Sequence, residues 1–112
     1  MRNIDSLKNS REFKRVYDVR DIKSDGNLVV YKAEGTGKVG IVCSKKNGNS
    51  VVRHRIVRLI REAYRLNKEN IRKDKDIIIL ARKNAVGQGF TDIRDSLVKL
   101  LKKHGIYEEM KN

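Results

Sequence analysis

The stretch 48–66, GNSVVRHRIVRLIREAYRL, leaves this chain few ways to fold. Wound at 100° per residue, it separates into two faces. Val52, Ile56, Leu59, Ile60, Ala63 and Leu66 form one apolar sector, wide enough to lie on a sheet. His54, Arg58, Arg61 and Arg65 recur at i, i+4, i+7 and i+11 on the opposite side, and Arg53 and Arg55 flank the two rims. Gly48 and Asn49 supply a turn, and Asn49 or Ser50 caps the first free N–H groups. The pattern predicts a helix with one buried flank and one flank lined with guanidinium groups.

A solvated helix usually mixes Glu with Lys so that neighbours one turn apart attract. Between Arg53 and Arg65 the only acid is Glu62. Like charges at that spacing oppose helix formation, and a polyanion removes the penalty. Arginine also favours flat, bidentate recognition of phosphate. The whole chain repeats the bias: 27 Lys and Arg against 14 Asp and Glu give a net charge of +13 over 112 residues. That balance points to nucleic acid first and to an anionic membrane surface second. The membrane option weakens because the basic helix carries no Trp or Phe among its aliphatics. No apolar run is long enough to span a bilayer and no secretory h-region opens the chain. No membrane association is expected, and a cytoplasmic protein fits. The single cysteine, Cys43, falls in a valine-rich strand and reads as a buried, reduced thiol rather than a reactive one.

One domain, residues 1–112, is the count that length allows. Residues 1–9 read as frayed. Ser10 caps a short helix to Asp18, with Phe13, Val16 and Tyr17 on one side. Residues 19–25 show neither period and read as a loop. Residues 28–34 and 38–44 read as strands joined by Gly35-Thr36-Gly37, a hairpin signal. Residues 68–74 form a charged connection. The run 76–82 is apolar on both parities and suits an inner strand covered on both faces. Residues 83–89 form a loop. Thr91 caps a last helix bearing Ile93, Leu97, Leu100, Leu101 and His104, which Gly105 stops, and 106–112 read as frayed. The expectation is an α+β fold, a small two-layer sandwich in the order α-β-β-α-β-α, with or without a short extra strand.

The segment 45–62 resembles the protein subunit of bacterial ribonuclease P. That family carries a stretch close to SKK-x-GNAVVRNRxKRLIRE, and this chain has SKKNGNSVVRHRIVRLIREAYR. SREFKRVY, NLVVY, KVGIVCSKK and DIIILARKNA resemble its first helix, first two strands and inner strand, so the likeness covers nearly the whole chain. The resemblance implies a left-handed βαβ crossover, where the usual rule would give a right-handed one. It implies an RNA-binding protein cofactor of a ribozyme. The catalytic RNA would hold Mg²⁺ and cleave the 5′ leader from precursor tRNA, and no obligate protein partner is expected. It places RNA contacts at Arg53, His54, Arg55, Arg58, Arg61, Glu62 and Arg65, with Lys45 and Lys46 as further phosphate partners, and leader contacts at Phe13, Tyr17 and Tyr31. Two positions depart: His54 stands where the family usually has Asn, and Val57 where it often has Lys or Arg. The residues alone leave Phe13, Tyr17 and Tyr31 open between core packing and base stacking.

No nuclease chemistry can be assembled from the residues themselves. His54 and His104 lack a second ligand at metal spacing. Asp74 with Asp76 and Glu108 with Glu109 read as solvated end groups, not as a set converging on two ions. No catalytic or metal-binding residue is therefore assigned. The competing reading is a structural, ribosomal-type RNA-binding protein without a substrate cleft; an autonomous metal nuclease ranks last.

Overall fold

A computed structural model describes residues 4–109. The elements are α1 (Ser10–Val19), β1 (Asp21–Ser24), β2 (Leu28–Glu34), β3 (Val39–Cys43), α2 (Ser50–Asn67), β4 (Lys75–Ala81) and α3 (Phe90–Lys103). The order is thus α-β-β-β-α-β-α, and the four strands form one mixed sheet in the order β1-β2-β4-β3. Strand β4 is the inner strand that its sequence predicts. Ile77, Ile79 and Ala81 face the core shared with α2 and α3, while Ile78 and Leu80 face the cluster under α1. It pairs antiparallel with β2 (Leu28↔Ala81 to Glu34↔Lys75) and parallel with β3 (Val39↔Ile77 to Cys43↔Ala81), so α2 is the crossover between parallel neighbours.

The expected hairpin between 28–34 and 38–44 does not form, because β4 lies between the two strands. A strand apolar on both parities gains most from an inner position, where both edges are paired and both faces covered. Asp76, expected to be a solvated end group, is buried at the start of β4 and holds this arrangement. Its Oδ1 accepts the backbone N–H groups of Thr36, Gly37 and Lys38 at 3.0, 3.1 and 2.8 Å. Its Oδ2 receives the guanidinium of Arg15 from α1. Gly35 lies so close that a β-carbon there would collide with the Asp76 carboxylate. The glycines therefore wrap a carboxylate instead of closing a two-strand turn.

Other expectations shift locally. Residues 19–25 contain strand β1, entered through Arg20 in the left-handed region at φ 61°; as an edge strand it carries only one apolar side chain, Ile22, and gives no period. Residues 4–9 are ordered against β3: Val39 donates to the Asp5 carbonyl at 2.9 Å, Leu7 donates to the Val39 carbonyl at 3.0 Å, and the Leu7 side chain is buried. Residues 1–3 of the expected frayed end lie outside the described residues. Asn9, not Ser10, caps α1 through its side-chain oxygen. Gly89 precedes α3, and Thr91 lies inside it. Ile106 is buried and Tyr107 pairs with Ile71; residues 110–112 of the expected frayed tail lie outside the described residues.

On α2 the buried positions are Ile56, Ile60, Ala63 and Tyr64. That stripe is centred between Ile56 and Ile60, which leaves Leu66 about 100° away and Tyr64 only about 60° away. Leu66 is accordingly exposed, at 56%, and Tyr64 takes its place in the core, its hydroxyl 3.5 Å from the Gly37 carbonyl. Burial and the charges of Asp5 and Asp76 push the Tyr64 phenol up to about 12.

His104 closes the far end of the larger core. A carbonyl only accepts, so Nε2 carries the proton in its 2.7 Å bond to the Val30 oxygen. Nδ1 is buried without a hydrogen-bond partner, 3.6 Å from an Asp21 oxygen. Burial lowers the imidazole below its ordinary value near 6.5; Val30 and Asp21 oppose the shift, and Lys32 and Lys23 add to it. On acidification the unfolded chain takes up this proton first, so the stability His104 contributes is present above pH 6.5 and drains away below it. Urea unfolding at stepped pH should show that loss before the carboxylate range is reached, and His104→Gln should flatten it. Asp76→Ala, which strands several backbone donors, should cost more than about 3 kcal/mol, and Asp76→Asn, which keeps an acceptor oxygen, about 1–2 kcal/mol.

Candidate nucleic-acid interface

Helix α2 begins where the sequence places it. Gly48 takes φ 135°, and the Asn49 side chain caps the Val52 N–H at 3.0 Å. Because Ile56, Ile60 and Ala63 turn inward, His54, Arg58, Arg61 and Arg65 are carried to the opposite side, and all four are exposed. No acid of the described residues pairs with Arg58 or Arg61. Arg65 differs: it forms a bidentate pair with Glu62, at 3.1 and 2.6 Å, with both side chains about half exposed. The guanidinium in turn holds the Glu62 carboxyl below the usual range. Glu62 therefore offsets the last cation of the stripe and leaves its middle uncompensated.

The rim arginines are oriented without being neutralised. Arg53 donates through Nε to the Gly48 carbonyl at 3.1 Å, and Arg55 donates to the Gln88 carbonyl at 3.2 Å. A shallow concavity lined by Ser50, Val51, His54, Arg55 and Arg58 lies at this end of the helix. Val51 is 76% exposed within it. Sequence reading missed this valine, although its angle on the helical wheel, among the cations, is the signal that finds it. Val57, at the edge of the basic face, is partly buried.

Lys45 and Lys46 sit in a single 3₁₀ turn, Lys45–Asn47, between β3 and α2, and both are exposed. The Ser44 hydroxyl caps that turn, and Asn47 ties it to the inner strand through a 3.0 Å bond to the Ala81 carbonyl. Cys43, expected to be buried, is partly buried against the larger core and unpaired.

The aromatic residues come together on the other face of the sheet. Phe13 and Tyr17 of α1 have ring centroids 6.4 Å apart, and Tyr17 meets Tyr31 of β2 edge-on at 4.8 Å. All three are half-buried around Val16, Ala33 and Ile78, with Val42 and Leu80 beside them. Phe13 lies against Gly40 so closely that a β-carbon there would strike its ring. The core and surface readings thus divide within one cluster: Phe13 props α1 on β3, while Tyr17 and Tyr31 line the face that α1 leaves partly uncovered. Burial raises the Tyr17 phenol, keeping it neutral. Ile22, opposite Tyr31 on β1, extends this face and is 42% exposed.

The acidic pairs do not converge. Asp74 binds Arg72, Asp76 is enclosed by the 35–38 loop, and Glu109 binds Lys102 at 2.8 Å. Among the described residues no group of three His, Cys, Asp or Glu comes together as a metal site. No helix of the described residues is long and apolar enough to cross a membrane.

Comparison with known proteins adds an independent line. The family model described as Ribonuclease P matches residues 1–105. The chain is 44% identical over 105 residues to the ribonuclease P protein component of Lachnoclostridium phytofermentans, covering 91% of this chain and 90% of the relative. It is 44% identical over 112 residues to that of Clostridium acetobutylicum, covering 92% of each. Among solved structures, the RNase P protein of Staphylococcus aureus superposes with a TM-score of 0.82 at 32% identity, over 95% of this chain and 100% of that one. The RNase P protein of Thermotoga maritima gives 0.76 at 29% identity, over 88% and 96%.

Since Arg58 and Arg61 pair with no acid among the described residues, Arg58→Ala combined with Arg61→Ala should leave the unfolding free energy within about 0.5 kcal/mol of the parent, as read by urea denaturation. Ile60→Ala on the opposite side of the helix should cost about 2–5 kcal/mol.

Proposed function

Because the chain belongs to the ribonuclease P protein family, we propose that the basic face of α2 binds the catalytic RNA and that the aromatic face under α1 receives the 5′ leader of precursor tRNA. The chain is the protein subunit of ribonuclease P, a tRNA-processing ribonucleoprotein. The observation that carries the RNA-binding reading is the pair Arg58 and Arg61: exposed, opposite the buried stripe, and facing no acid among the described residues. Guanidinium groups held this way by a packed helix can engage phosphates bidentately and release counterions as they do so. Arg53, His54, Arg55 and Arg65 extend the contact along α2, and Lys45 and Lys46 extend it past the helix start. A ring N–H of His54 can donate a hydrogen bond to RNA.

On the opposite face, Tyr17 and Tyr31 offer ring surface and hydroxyls to unpaired leader bases, an interaction that tolerates sequence variation and is typically worth about 1–3 kcal/mol per base. Phe13 holds α1 in place for them as much as it offers a ring of its own. In this reading the active site lies on the RNA, where bound Mg²⁺ would activate the attacking water and stabilise the leaving oxygen. The work of this chain is to bind, orient and screen charge. A cytoplasmic location follows from that role.

The test is reconstitution with a bacterial ribonuclease P RNA and a leader-bearing precursor. The purified chain should release no leader alone and should restore cleavage by its RNA at low Mg²⁺. Absence of that rescue would sink the reading. Arg58→Ala and Arg61→Ala should each flatten the salt dependence of RNA binding by about one unit of log–log slope. Tyr17→Ala with Tyr31→Ala should weaken precursor binding and spare the catalytic RNA. Unchanged precursor binding would instead favour a structural RNA-binding role without a leader cleft.

A further inference from the structure

Helix α1 rests on the sheet along a narrow line. Val16 is its one buried side chain. Around the helix axis, Phe13 and Tyr17 lie about 60° and 100° to one side of Val16, and Glu12 and Arg15 about 40° and 100° to the other. A helix seated on a single buried residue is free to roll about that line. A tie on one flank then sets how far the opposite flank comes down on the sheet.

The flank of Arg15 is tied by charge. Its Nη1 donates to the Glu34 carbonyl at 2.7 Å, at the end of β2, and its Nη2 donates to the Asp76 carboxylate. Asp76 is a fixed point: its side chain is 2% exposed, and its other oxygen is held by the N–H groups of Thr36, Gly37 and Lys38. On the same flank, Lys38 Nζ lies 3.2 Å from Glu12 Oε2 and fastens the helix to the residue before β3.

The other flank rests on rings. Phe13 sits on Gly40, where there is no room for a β-carbon, and Tyr17 meets Tyr31 with ring planes at 89° and centroids 4.8 Å apart. Gly40 therefore sets the height of the helix and Arg15 its roll. An edge-on pair is sensitive to that roll, because the edge of one ring has to stay over the face of the other.

We propose that Arg15 is a positioning residue for leader binding: anchored on Asp76 and the Glu34 carbonyl, it fixes the roll of α1 and holds Tyr17 edge-on to Tyr31. The two rings then meet the leader as a surface already formed, which lowers the ordering cost of binding. The inference rests on the leader reading above and assigns a residue that shapes this face by acting through Tyr17. The Arg15 side chain is 47% exposed, so the experiment has to separate this role from a direct phosphate contact.

The test compares Arg15→Ala, Arg15→Lys, Tyr17→Ala and the double variant Arg15→Ala, Tyr17→Ala in the reconstituted holoenzyme. Lys14→Ala, on the outer side of α1 where Lys14 pairs with Asp18, is the control for removing charge from the helix. The quantity read is the ratio of affinities for leader-bearing and leaderless tRNA, titrated over a range of salt, with catalytic-RNA binding measured alongside. Arg15→Ala should lower the ratio about three- to tenfold, part of what a stacked base contributes, and leave both the log–log salt slope and catalytic-RNA binding unchanged. Arg15→Lys should keep most of the ratio, and Lys14→Ala all of it. The double variant should be no worse than Tyr17→Ala alone, since a residue that acts through Tyr17 has nothing left to position. In the free chain, the nuclear Overhauser contact between the Tyr17 and Tyr31 rings should weaken in Arg15→Ala while the amide resonances of α2 and α3 hold their positions. An unchanged ratio, additive losses in the double variant, or a salt slope shallower by about one, the mark of a direct phosphate contact, each overturn the proposal. An equal loss of catalytic-RNA binding marks general destabilisation and overturns it as well. If Arg15→Ala alone leaves the ratio unchanged, only the positioning role falls, whereas if Tyr17→Ala leaves it unchanged too, the leader reading falls with it.

Discussion

The fold turns on one carboxylate. Asp76 stands at the start of the inner strand, takes three backbone N–H groups from the glycine-rich loop on one oxygen and an arginine of α1 on the other. That single acceptor explains why β2 and β3 can diverge instead of pairing. The loop between them finds its hydrogen bonds on a side chain, which frees the space between the strands for β4. Once β4 is central, β3 must run parallel to it, and a parallel neighbour requires a crossover. The crossover is the basic helix. The exposure of Arg58 and Arg61 is thus a downstream result of how a loop more than twenty residues away satisfies its backbone.

Much of this was legible in the chain and the exceptions have physical causes. Periodicity located all three helices and the inner strand, because each buries a continuous stripe and burial writes a period into sequence. Strand β1 was invisible because an edge strand with one apolar residue writes none. The hairpin expectation failed for a different reason: Gly35-Thr36-Gly37 suits a tight turn and suits wrapping a carboxylate equally well, and only the partner forty residues on, Asp76, separates the two. Leu66 and Tyr64 exchanged roles because the centre of the buried stripe depends on where the helix rests on the sheet, which composition does not encode. The arginine face was readable residue by residue. What could not be read was that Glu62 is spent on Arg65, or that Phe13 packs on Gly40 while Tyr17 meets Tyr31 edge-on.

Charge is distributed with the same economy. Acids of the described chain serve as local ties: Asp76 to the glycine loop, Asp25 to Lys99 and the turn before β2, Asp74 to Arg72, Glu12 to Lys38. The segments around the α2 start and the β4 exit contain none. The excess of cations is therefore concentrated rather than spread, and it coincides with backbone that is already held by packing and caps. Cations carried on backbone that is already held in place cost less ordering when an anion arrives, which favours recognition over diffuse attraction.

The short segment before α1 has a role of its own. Strand β3 lies at the border of the sheet, and a border strand offers unpaired donors and acceptors to any extended chain that approaches. Asp5 and Leu7 occupy part of that border by bonding to Val39 from outside, and the Leu7 side chain seals the cluster beneath. A chain whose partner is a large polyanion gathers around that partner, where an open strand border would favour pairing between copies. Asp5 and Leu7 act as a built-in shield against that pairing, so removing them would leave part of the β3 border adhesive.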